Sequence, residues 1–242
     1  MNDGDLAWHL AHSAGELLLK IRQQSASSGS ALGSKGDREA NLLIMDALRA
    51  QRPEDGLLSE EEADNPARLA KSRVWIIDPL DGTREYSEGR DDWAVHIALC
   101  VDGVPSVAAV AVPMLHAVYE SRTVSPPPAP DLKKPLRIVV SRSRPPAQAE
   151  RVAKALDAQL MPMGSAGAKA MAVVRGDADA YIHAGGQHEW DSAAPVGVAL
   201  AAGLVCKRLD GSALRYNQAV PSLPDFVICR SACYERIAAA LR

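Results

Sequence analysis

The chain has 242 residues, 47% of them hydrophobic, and a formal net charge of −3 at pH 7. That length suits one large domain or two small ones sharing an interface, and an acidic balance with no long basic run argues against a basic nucleic-acid-binding surface. No basic-then-apolar leader and no run of about 20 apolar residues occurs, so the expected setting is soluble and cytoplasmic, without a membrane. With a single Phe, the core must rest on Ala, Val, Leu and Ile. In chain order, Leu10, Ala14, Leu17, Leu18 and Ile21 repeat at helical spacing and predict an amphipathic helix over Leu6–Ile21, capped by Asp3 or Asp5. The Gly/Ser-rich stretch Ser25–Asp37 reads as a flexible loop. A second helix is expected over Arg38–Arg49, burying Leu42, Met45 and Leu48 or their neighbours.

The run Val74-Trp75-Ile76-Ile77 reads as a short interior strand. It closes on "DPLDGT", which places Asp78 and Asp81 at its carboxyl end, with Pro79 stiffening the backbone and Gly82 letting it turn. Next come "AVHIALCV", "VPSVAAVAV" and "HAVYES", an expected antiparallel meander with a turn at Asp102-Gly103. The proline-rich "SPPPAPDLKKP", residues 125–135, is the clearest boundary, giving an α+β part over 1–130 and an α/β part over 131–242. In the second part the expected elements are a strand "LRIVVS", helices over Ala147–Leu160 and Lys169–Arg175, a strand "ADAYIHA", a helix from about Asp191, strands "LVCKRL" and "FVICR", and a closing helix over Tyr234–Arg242. Cys100, Cys206, Cys229 and Cys233 form no C-x-x-C pair and read as buried free thiols.

Three separated places set carboxylates beside apolar elements: Glu60-Glu61-Glu62 after Leu57-Leu58-Ser59, then Asp78 and Asp81, then Trp190-Asp191. Each has a plain reading. The glutamates could be a solvated loop, Asp-Gly a turn, and Asp191 a helix N-cap. Converging carboxylates would repel unless protonated or bridged by cations, and an oxygen-only donor set suits Mg²⁺ or Mn²⁺. Two such cations can position a phosphoryl group and acidify a water. His183 and His188 are set aside as ligands, because hard cations prefer oxygen; they read as strand-end or loop residues. Glu85 and Glu88 read as solvated helix charges. Gly164–Met171, "GSAGAKAM", fails the phosphate-binding-loop pattern at Ala168 and Ala170.

"WIIDPLDGTREY", with "LLSEE" upstream and "HEWDSAAPVGVALAAG" downstream, resembles the inositol monophosphatase superfamily of Mg²⁺-dependent, lithium-sensitive phosphatases over nearly the whole chain. "LSEE", "GTREY" and "LDGSALRYN" resemble its CysQ branch, actinobacterial members above all, which remove the 3′-phosphate of 3′-phosphoadenosine 5′-phosphate. The resemblance implies a layered αβαβα sandwich with the metal site where its two parts meet, a role in sulfur assimilation, and a phosphate monoester as the partner; its members are often homodimers.

By position, the resemblance implies that Glu60, Asp78 and the Leu80 carbonyl hold one Mg²⁺ and that Asp78, Asp81 and Asp191 hold a second. Glu60 would also serve a third ion, with Mn²⁺ able to substitute. Asp37 and Thr83 would orient and deprotonate the attacking water. Asp37 is a departure, since the family pattern T-x-x-D is replaced here by "GSKGD". The Gly82 and Thr83 amides would hold phosphate oxygens if they open a helix. Ser165 and Lys169 would contact the nucleotide, and Arg142 the 5′-phosphate, each against the plain reading of an ordinary polar or charged side chain. Action on the 5′-phosphosulfate, on inositol phosphate or fructose 1,6-bisphosphate, or no catalysis at all with metal or polyanion binding only, all stay open at this point.

Overall fold

A computed structural model describes residues 1–25, 28–131 and 133–242. Ala26 and Ser27, inside the predicted loop, and Leu132, inside the predicted linker, lie outside the described residues. The architecture has five layers. On one outer face lie α1 (Asp3–Gln24) and α2 (Gly29–Gln51). They cover a sheet of β1 (Gly56–Ser59), β2 (Arg73–Asp81), β3 (Ala94–Val101), β4 (Val104–Val112) and β5 (Ala117–Glu120), in that order. Strand β1 runs parallel to β2 and the remaining pairs are antiparallel, so the expected meander over β3, β4 and β5 is present.

The second sheet has the order β7-β6-β8-β10-β9. Its strands are β6 (Arg137–Ser141), β7 (Gln159–Met163), β8 (Ala180–His188), β9 (Val205–Lys207) and β10 (Ser222–Cys229). Two helices, α5 (Ala166–Arg175) and α6 (Ala193–Ala201), fill the space between the sheets, and α4 (Ala147–Leu156) and α7 (Ser231–Leu241) cover the far side. A five-residue helix, α3 (Thr83–Ser87), follows β2 directly.

Period-two alternation assigns each strand face to a layer. Trp75, Ile77, Val95, Ile97 and Leu99 join the cluster under α1 and α2, whereas Val74, Ile76, Ala94, Ala98 and Cys100 face α5 and α6. The helices of the middle layer are rich in Ala, with a Gly in each. At Gly197 in α6 an added Cβ would stand 2.6 Å from the Ala108 Cβ of β4. All four cysteines are unpaired. Among the described residues no helix is long and apolar enough to cross a membrane.

Several sequence expectations shift. Asn2, rather than Asp3 or Asp5, caps α1, its side chain accepting from the Asp5 amide at 2.9 Å. Helix α2 begins at Gly29, so most of the expected Ser25–Asp37 loop is helical; Gly36 lies against Leu18, Leu80 and Tyr86, and Gly33 faces Thr83 and Ser87 with no room for a side chain. Within α2, Ile44, Met45 and Leu48 are buried, but Leu42 is 47% exposed because it lies on the opposite face. Helix α4 stops at Leu156, where Asp157 turns left-handed at φ 51°, and Gln159–Met163 is the edge strand β7 rather than more helix. Strand β8 runs on to His188, past the expected "ADAYIHA".

Replacing Gly197 with Val forces a branched side chain into the α6–β4 contact. Overpacking of this kind costs about 1–3 kcal/mol, so the expected result in urea unfolding is a lower midpoint with an unchanged slope.

Candidate active site

The end of β2 leaves its ladder at the point where the acidic motif begins. Pairing with β3 is regular from Arg73 to Asp78, then the register shifts before Asp81 meets Ala94. The Leu80 amide turns back to donate to Asp78 Oδ1 at 3.1 Å. Gly82 follows at φ 87°, a left-handed conformation in which any other residue would be strained, and a Cβ there would also lie 2.9 Å from that of Ser165. This bulge and turn bring both aspartates into the middle layer. From the other sheet, the turn between β8 and α6 delivers Asp191, whose Oδ2 accepts from the His188 amide at 2.6 Å. Ser192 takes the N-cap position of α6, so the plain reading of Asp191 as a helix N-cap does not hold. One carboxylate oxygen each from Asp78, Asp81 and Asp191 lie within 4.8 Å of one another.

Glu60, next after β1, joins this group. Glu60 as a residue is exposed, at the rim of the group; partial loss of solvent around its carboxyl and the charges of Asp191, Asp81 and Glu61 push it up to about 7, and it lies in hydrogen-bonding reach of Asp78. Asp191 is raised to about 6 by burial and by Asp81. Asp78 is fully buried and raised well above the usual carboxylate range by desolvation and by Glu60, Asp81 and Asp191, and its Oδ2 has no hydrogen-bond partner. Asp81 behaves differently. Desolvation opposes its ionisation, but His96, the Gly167 amide and Lys169 outweigh that and hold it below its ordinary value. Repelling oxygen donors with an orphaned buried oxygen fit hard divalent cations.

Asp37 lies in α2, on the face toward this cluster. Its carboxyl is raised to about 8 by burial and by Glu61 and Glu60, against a lowering hydrogen bond with Thr83. Its Oδ1 is also buried without a partner. Thr83 opens α3, and its hydroxyl donates to the Leu80 carbonyl at 3.1 Å. Asp37, Glu60, Asp78, Leu80, Asp81, Thr83 and Asp191, far apart in sequence, thus belong to one neighbourhood.

A cleft of about 700 Å³ opens beside Asp81 and Asp191, lined by Gly82, Ser165, Lys169, Arg144 and His183 among others. Ser165 caps α5 by accepting from the Ala168 amide at 2.9 Å. Lys169 is buried; its ammonium donates to the carbonyls of Gly164 and Ser165 and lies over the Tyr181 ring at 5.2 Å. Burial lowers it to about 8 against the pull of Asp81, Glu85, Asp92 and Asp191. Arg142 is committed elsewhere: its Nε donates to Glu85 at 2.7 Å and its terminal nitrogen to Glu88 at 2.5 Å. Glu85 is therefore a buried ion-pair partner rather than a solvated charge. Two guanidiniums line the cleft, Arg84, which pairs with Glu88 at 2.8 Å, and Arg144, two residues beyond Arg142, with which no carboxylate pairs among the described residues.

His183 and His188 both lie on β8, as strand residues. His183 stacks on Phe226, and burial pushes it down to about 4; His188 stacks on Trp190. The residue that the sequence reading passed over is His96, in the middle of β3. An imidazole in an otherwise apolar strand is the signal, but only the β2–β3 register sets it opposite Asp78.

Two sheets interleaved with three helical layers, and a buried oxygen-donor cluster at their junction beside an open cleft, define a class of divalent-cation-binding αβαβα proteins. The model of the inositol monophosphatase family matches residues 6–242, and the chain belongs to that family. It is 54% identical to a 3′-phosphoadenosine 5′-phosphate phosphatase of Mycobacterium leprae, over 96% of this chain and 90% of that protein. It is 29% identical to the 3′(2′),5′-bisphosphate nucleotidase CysQ of Escherichia coli K12, over 88% and 93%. The structure of CysQ from Bacteroides thetaiotaomicron superposes with a TM-score of 0.80 at 26% identity, covering 94% of this chain and 97% of that one.

The raised carboxyls make stability depend on pH. Asp37, Glu60 and Asp191 keep their protons up to about 8, 7 and 6 when folded, whereas ordinary carboxyls release them near 4. Between those limits the folded state binds more protons than the unfolded one, so stability falls as pH rises. Thermal unfolding in EDTA should show the midpoint dropping between about pH 5 and pH 8, and Mg²⁺ at pH 8 should restore it by binding the folded state.

Proposed function

We propose that the chain is a divalent-metal-dependent phosphomonoesterase that removes the 3′-phosphate of 3′-phosphoadenosine 5′-phosphate. The observation that carries this reading is the meeting of Asp78, Asp81 and Asp191 within 4.8 Å, at the mouth of a cleft that offers a guanidinium for a second phosphate. Relatives at 54–55% identity named as phosphatases of this nucleotide support the substrate.

Asp78, Asp81, Asp191, Glu60 and the Leu80 carbonyl would hold the cations, Mg²⁺ by preference with Mn²⁺ able to substitute. When bound, these cations supply charge neutralisation for the phosphoryl and leaving oxygens and a more acidic water. The chain's own residues do the rest. Thr83, at the start of α3, accepts a hydrogen bond from the attacking water and orients it toward phosphorus. Asp37, beside Thr83, takes the proton once the Thr83 hydroxyl turns to it from the Leu80 carbonyl. Its burial against Glu60 and Glu61 makes it a stronger base than a surface carboxylate. Backbone amides at Gly82 and Thr83 face phosphate oxygens, and no covalent phosphoenzyme forms.

The leaving nucleoside lies in the cleft. Ser165 and Lys169 shape its wall, and Arg144 meets the 5′-phosphate in the role that the family resemblance implied for Arg142. Arg142 instead ties the second sheet to α3 through Glu85 and Glu88, holding the turn that carries Thr83.

The decisive assay is phosphate release at saturating Mg²⁺ from 3′-phosphoadenosine 5′-phosphate, its 5′-phosphosulfate, inositol 1-phosphate and fructose 1,6-bisphosphate. The nucleotide should be preferred, and Asp81→Asn should lower its turnover on the order of 100-fold or more, because cation sites contribute several kcal/mol. Equal rates on all four would remove the substrate assignment, and no release from any would remove the enzyme. Arg144→Ala should lower kcat/KM about 10-fold for the bisphosphate, the scale of one charged hydrogen bond. The same variant should leave 3′-AMP, which lacks the 5′-phosphate, nearly unchanged; equal losses on both would return the 5′-phosphate contact to another residue.

A further inference from the structure

His96 is fully buried, and both of its ring nitrogens face oxygens that belong to the acidic site. Nε2 stands 3.2 Å from Asp81 Oδ2. On the other side of the ring, Nδ1 is 3.1 Å from the Trp190 carbonyl and 4.0 Å from Asp78 Oδ2. This placement follows from the fold. The β2–β3 register pairs His96 with Asp78, and alternation points it into the middle layer with Ala94 and Ala98. The Gly167 amide of α5 donates to the same Asp81 oxygen at 2.6 Å, and a Cβ on Gly167 would fall 2.2 Å from His96 Nε2. Helix α5 therefore closes the cavity around the ring, and nothing larger than glycine fits at that point.

The single ring touches two chain segments that carry candidate ligands from different sheets: the β2 terminus with Asp78 and Asp81, and the peptide immediately before Asp191. We propose that His96 is a positioning residue that sets the spacing of Asp81 and Asp191, and through it the affinity of the site for a divalent cation. Asp81 Oδ2 accepts from the Gly167 amide and is faced by His96 Nε2 at 3.2 Å, a close polar contact outside hydrogen-bond geometry, and no protein donor takes Oδ1 among the described residues. The carboxylate is thereby held by one oxygen, with the other left for a ligand. Partners behind metal ligands act in this way generally, and their loss weakens metal binding about 10–100-fold. This inference rests on reading the acidic cluster as a cation site, and a histidine that only fills core volume is the alternative.

The test uses the full chain with Mn²⁺ as the calorimetric probe, beside thermal unfolding in EDTA. The variants are His96→Leu, which removes both polar atoms, His96→Gln, which keeps a donor at the reach of Nε2, and His96→Asn, which does not reach Asp81. Mn²⁺ affinity should fall about 10–100-fold in His96→Leu, should be recovered in part by His96→Gln, and should be recovered less by His96→Asn. The midpoint in EDTA should not follow that order. In phosphatase assays the Mg²⁺ concentration for half-maximal rate should rise more than kcat at saturation falls. If His96→Leu does not fold, the Gln-against-Asn contrast decides. Wild-type affinity in all folded variants, or losses that track the EDTA midpoint without rescue by Gln, would overturn the role of His96 alone. Absence of Mn²⁺ binding by the wild-type chain would overturn both this role and the cation site.

Discussion

Mutual repulsion among a few carboxylates in a poorly solvated space is the constraint on which the rest of the molecule depends. Asp78, Asp81 and Asp191 come from two sheets that are each stable arrangements of apolar strands, yet they are held close enough for their oxygens to share one ligand sphere. Charges of one sign at that spacing favour protonation in the absence of a cation, which is the direction in which Asp37, Glu60, Asp78 and Asp191 move. Asp81 is the exception because cationic and amide donors converge on it.

The scaffold tolerates this arrangement because its apolar layers are separate from it. One cluster lies between the outer helices α1 and α2 and the first sheet, another between the second sheet and α4 and α7. In the middle layer glycines and alanines of α5 and α6 lie against the first sheet, with Gly167 facing His96 and Ala94 and Gly197 facing Ala108. Glycine at 82, 167 and 197 acts there through the absence of a side chain. The polar site is thus confined to one margin of the shared layer, where the cleft opens to solvent.

Charged side chains divide between holding the site and facing the cleft. Arg142 and Glu85 form a partly buried pair that links β6 to α3, and breaking one partner of such a pair is destabilising because the other is left unpaired. Arg144 remains on the cleft. Two arginines separated by one residue therefore do different work, and their difference lies in which carboxylates lie within reach. Lys169 shows the same contrast: its ammonium is turned back on the carbonyls at the start of its own helix, so it shapes the wall with its stem and the local field with its charge.

The sequence by itself determined the acidic motif, its strand and turn, and the meander, because these rest on local chemistry: β-branched runs, period-two alternation, Asp-Gly turns and closely spaced residues; the layered class followed only from the family resemblance that those motifs carry. It also placed Asp78, Asp81 and Asp191 beside apolar elements, without the means to bring them together. Only the tertiary structure decided that Asp37 sits on a helix rather than a loop, since Gly33 and Gly36 look flexible until a packed neighbour requires their smallness. Tertiary structure likewise decided that Arg142 is spent on Glu85 and Glu88, that Arg144 faces the cleft, and that His96 lies behind Asp81. Those outcomes depend on contacts between separate elements, as between Arg142 and Glu85 at a separation of 57 or between His96 and Asp81 on adjacent strands, and such contacts are fixed by strand register and layer order rather than by any local signal.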